Sequence, residues 1–61
     1  MKIPEKIQPV VNSICDAYRL KGEKIAIKRF NHIVKRDKLA YFEMEMLNGY
    51  VKHQLKLNNL I

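Results

Sequence analysis

The chain has 61 residues, room for one domain and no more. A domain this short buries only about 60% of the surface its unfolded chain exposes, and its single cysteine, Cys15, allows no internal disulfide to staple it. The hydrophobic fraction of 48% excludes a disordered chain, no apolar run approaches the roughly 20 residues of a membrane span, and a net charge of +6 points to an anionic partner.

The first segment runs from about residue 5 to 20. Ile3, Ile7, Val10, Ile14 and Ala17 recur at spacings of four and three, with Val11 and Tyr18 widening the stripe. That is the period of an amphipathic helix. Pro4 and Pro9 fit only near its start, because proline lacks the N–H that later turns need. Lys21 and Gly22 read as its end, a cation in the last turn and then a glycine cap.

The second segment spans 23–36. Ala26, Ile27, Phe30, Ile33 and Val34 share one side of a helix, and only Ile25 falls on the wrong face. Lys24, Lys28, Arg29, Asn31, His32, Lys35 and Arg36 share the other side. Ile14 and Phe30 are the expected core residues of the first two helices.

The third segment, 38–57, reads two ways. As a helix capped by Asp37, it places Leu39, Ala40, Met44, Met46, Leu47, Tyr50, Val51, Leu55 and Leu57 on one broad apolar face, with Phe42 on the polar side. As a β-hairpin it would turn at Asn48-Gly49, a strong two-residue turn signal. Composition favours the helix: Glu, Met, Leu, Lys and Gln dominate, and Val51 is the sole β-branched residue. The expected architecture is therefore all-α, a compact bundle of three short helices at about 5–20, 23–36 and 38–57 in a single domain, 1–61. The alternative is two helices and a C-terminal hairpin, a winged module.

The charge is unevenly placed. Residues 19–38 hold eight basic side chains against Glu23 and Asp37, while the rest of the chain is neutral. Lys and Arg contact phosphates, and Arg, Lys and Asn also read base edges. Lys24, Lys28, Arg29, Asn31, His32, Lys35, Arg36 and Lys38 are thus the candidate contacts to nucleic acid or an acidic partner. The bland reading of the same residues is a solvated helix face that keeps the protein soluble. The helix–Gly–helix layout around Gly22 is compatible with a helix-turn-helix unit. Tyr41, Met44, Met46 and Tyr50 are candidate protein-interaction residues, since methionine-rich surfaces adapt to partners. Ordinary core packing accounts for the same residues.

Cys15, His32 and His53 lack the close spacing of zinc ligands, so no metal and no cofactor are expected. Cys15, beside Ile14, reads as a buried structural thiol. No glycine-rich phosphate loop, paired-carboxylate signature or nucleophile–base set occurs, and so short a chain has little room for a substrate cleft. The expectation is a non-enzyme without a small-molecule substrate. The first six residues lack the apolar core of a signal peptide, which with the lone cysteine suggests the cytoplasm. Size, charge and helix content are those of small bacterial or phage regulators. Such a module would act on DNA directly or by binding a larger DNA-binding protein. A protein-interaction adaptor or inhibitor with no nucleic-acid contact is the alternative. The breadth of apolar surface on the third segment predicts a homodimer or a heteromer.

Overall fold

The structure, a computed structural model, describes residues 2–61. It holds three helices, α1 (Gln8–Lys21), α2 (Glu23–Arg36) and α3 (Tyr41–Leu57), and no strand among those residues. The hairpin alternative does not form. Asn48 and Gly49 lie inside α3, where helix-forming neighbours and a packed inner face outweigh the roughly 1 kcal/mol that a mid-helix glycine costs.

Helix α1 is the centre of the bundle. Both other helices pack on it, and α2 and α3 touch each other little. Val11, Ile14, Cys15 and Ala17 of α1 are buried, meeting Ala26 and Ile33 of α2 and Leu47, Val51 and Leu55 of α3. The Cys15 thiol points at the Val51 carbonyl oxygen, 3.8 Å away, and ties α1 to α3. Burial pushes its pKa up, as the adjacent Asp16 also does, so the thiol stays protonated and unreactive.

The helix ends explain the path of the chain. Pro9 stands in the first turn of α1, where its missing N–H costs nothing. Gly22 alone joins α1 to α2. Its φ of 94° and ψ of 173° belong to a region open essentially to glycine. Its N–H donates to the Tyr18 carbonyl, and its own carbonyl accepts the first bond of α2 from Ala26 N–H.

Asp37, the expected cap of α3, closes α2 instead. Lys38 follows with φ 51°, and its N–H donates to the Lys35 carbonyl while Leu39 N–H donates to that of Val34. This is a Schellman ending with lysine in the left-handed position that glycine usually holds. The reversal takes three residues more than the sequence pattern suggested, so α3 begins at Tyr41. There the Glu43 carboxylate accepts from Ala40 N–H at 3.0 Å, one half of a capping box. The same ending closes α3: Asn59 has φ 57°, and Leu60 N–H donates to the Leu55 carbonyl.

Two expected faces are corrected. The buried arc of α2 is turned toward Ile25, which is half-buried against the core, while Ile27 is 50% exposed. The reason is that α2 rests almost wholly on α1, so its far edge overhangs a gap toward α3. Phe30 lies at that edge, half-buried rather than enclosed, whereas Ile14 is fully buried. The broad apolar face of α3 splits in two. Leu47, Val51 and Leu55 face inward, and Met46 and Leu57 are exposed with Phe42. No helix among the described residues is long and apolar enough to cross a membrane.

Candidate functional site

Around a helix advancing about 100° per residue, Lys24, Lys28 and Lys35 fall within about 40° of one another. They lie directly opposite the buried Ala26 and Ile33, and all three are exposed. Asn31 stands beside them and His32 on the flank, both exposed. The stripe is about 17 Å long from Lys24 to Lys35 at 1.5 Å per residue. Among the described residues, no carboxylate comes within ion-pair distance of these lysines or of Lys38. Their charges therefore stand unneutralised, pointing into solvent from a rigid scaffold.

The two arginines of the sequence-derived set are not part of that stripe. Arg29 is turned toward α1, where its guanidinium donates to the Ser13 hydroxyl at 3.2 Å and to the Ser13 carbonyl at 3.4 Å. These two hydrogen bonds clip α1 to α2. Arg36 lies about 100° around the helix from Lys35 and forks onto the Asp37 carboxylate, with Nε 3.0 Å from Oδ1 and Nη2 3.3 Å from Oδ2. The hydrogen bond from Arg36 holds the Asp37 carboxyl below its ordinary pKa, and the carboxylate in turn raises that of Arg36. Arg19 is likewise paired, 3.5 Å from Asp16. Part of the excess charge counted between residues 19 and 38 is thus used inside the fold. The lysines remain free.

Tyr41, Met44, Met46 and Tyr50 do not come together. Tyr41 and Met44 line a shallow hollow with Phe30 and Asn48 on the α2 side of α3. Met46 and Tyr50 line another, with Phe42 and Gly49, on the outer side. The sequence pattern missed Phe42 and Gly49 as members of an apolar surface, because it placed both on the polar side of the third helix. It also missed the apolar gap between α2 and α3, about 220 Å³, walled by Ala26, Ile27, Phe30, Val51, Leu55 and Ile61. Glu23, Asn48 and Lys52 also line that gap, but its wall is mainly apolar.

Among the described residues, no three His, Cys, Asp or Glu side chains cluster as a metal site requires. Comparison of the chain with protein-family models, with curated proteins and with solved structures returns no match.

Proposed function

We propose that the chain is a small, non-enzymatic basic regulator that acts on DNA through the outer face of α2, alone or seated on a larger DNA-binding protein in the cytoplasm. The observation that supports this reading is the alignment of Lys24, Lys28 and Lys35 in one unpaired stripe with Asn31 beside it. Lysines held on a helix face can follow a phosphate track, or place a helix in the major groove with Asn31 at a base edge. Lys38, exposed at the left-handed turn just beyond α2, adds a fourth unpaired lysine near that face.

The test is a salt titration of binding to a short labelled duplex. Four lysine–phosphate contacts give a log–log slope of about −3 to −4. A protein that shows no affinity for the duplex even at low salt is an adaptor or inhibitor instead, with the same face docked on an acidic protein surface.

A further inference from the structure

Helix α3 carries a second stripe facing away from the bundle. Phe42, Met46, Gly49, His53 and Leu57 fall within about 80° of one another, opposite the buried Val51. Phe42 is 65% exposed and Leu57 also 65%. Gly49 sits at the middle of this stripe. A Cβ added there meets nothing within 4 Å, and no positive φ requires glycine. Neither the fold nor the backbone of this chain explains a residue that weakens its helix. Around it lies a shallow hollow walled by Phe42, Glu45, Met46 and Tyr50 of α3, with Lys2 of the N-terminal segment at its side.

We infer that this stripe pairs with the same stripe of a second copy, the two α3 helices running antiparallel about the midpoint between Gly49 and Tyr50. The sequence is self-complementary in that register. Phe42 meets Leu57 of the second copy, Met46 meets His53, and the two Gly49 residues lie side by side near the two-fold, where the lack of side chains lets the helices approach closely. The flank agrees. Glu45, Lys52 and Lys56 lie within about 40° on one edge of α3, and an antiparallel two-fold sets like edges together. Glu45 then stands between Lys52 and Lys56 of the other copy, about 3 Å along the axis from each. A parallel two-fold would set this edge against the opposite one, which carries Glu43, Tyr50 and Gln54 and no lysine, so the charges select the antiparallel partner. This inference does not depend on DNA binding by α2.

Sedimentation equilibrium with circular dichroism tests it. The wild-type chain is expected to sediment at twice its 7.2 kDa in the micromolar range. Gly49→Gln is expected to raise the melting temperature of the monomer, because glutamine is the better helix former and has open space, yet to weaken the dimer at least about tenfold by holding the two helices apart where they cross. Glu45→Lys is expected to weaken it roughly tenfold, and Glu45→Lys with Lys52→Glu and Lys56→Glu to restore it. A wild-type chain that stays at 7.2 kDa up to millimolar concentration overturns the inference. So does a dimer that Gly49→Gln leaves intact while the helix signal is retained.

Discussion

The outer faces of α2 and α3 are built on the same principle and finished differently. Each lies opposite a line of buried residues, Ala26 and Ile33 in α2 and Leu47, Val51 and Leu55 in α3. On α2 the far side is a row of free lysines. On α3 it is Phe42, Met46 and Leu57 around a glycine. Neither outer face is needed for the fold, so its composition reports what else the helix meets. A row of like charges repels a second copy of itself and attracts an anion. An apolar stripe with paired charges on its flank attracts another protein surface.

The contrast is sharpest within α3. Leu47→Ala removes an inward side chain that is 5% exposed and is expected to cost about 2–5 kcal/mol, enough to unfold a domain this small. Phe42→Ala, five residues away and larger in volume, is expected to change the stability of the monomer by no more than about 0.5 kcal/mol. Urea unfolding of the dilute protein measures both. Equal losses would mean that the outward stripe belongs to the core after all.

The joints at the two ends of α2 come next in size. Gly22→Ala is expected to destabilise by about 1–3 kcal/mol, through backbone strain alone, since its Cβ meets nothing within 4 Å. Lys38→Gly acts in the opposite direction. It relieves a left-handed lysine and is expected to stabilise by about 1 kcal/mol, or roughly 4–8 °C in melting temperature. The two melts together ask whether α2 is held by its ends as well as by its inner face. A destabilised Lys38→Gly variant would show that the lysine side chain has a partner in the folded chain.

Much of the fold was legible from spacing. The period of the apolar residues marks the first two helices, composition marks the third, and Gly22 marks the joint between the first two. What could not be read was the direction from which each helix is covered. Ile25 and Ile27 are equivalent by composition, and only the seat of α2 on α1, away from most of α3, half-buries one and exposes the other. Asp37 resembles a cap for the helix that follows it, but Arg36 and the Schellman ending claim it for the helix before. The basic face was visible as a set of residue types. Which members were free was not, because Arg29 meets Ser13 only across a helix–helix contact sixteen residues away in sequence. Asn48-Gly49 kept a hairpin open as the alternative for a related reason: the local turn signal is genuine, and the inner face of α3 overrides it.

The most direct test separates position from net charge. Lys28→Glu with Lys35→Glu and Lys2→Glu with Lys6→Glu change the total charge by the same amount, at exposed sites expected to cost little stability. Affinity for a short duplex is then measured by fluorescence anisotropy across a range of salt. The account predicts that the first pair lowers affinity by about a hundredfold or more and flattens the log–log salt slope by about 2, while the second pair stays close to wild type. Equal losses from the two pairs would contradict it, because binding would then follow the charge of the molecule and not the face of α2.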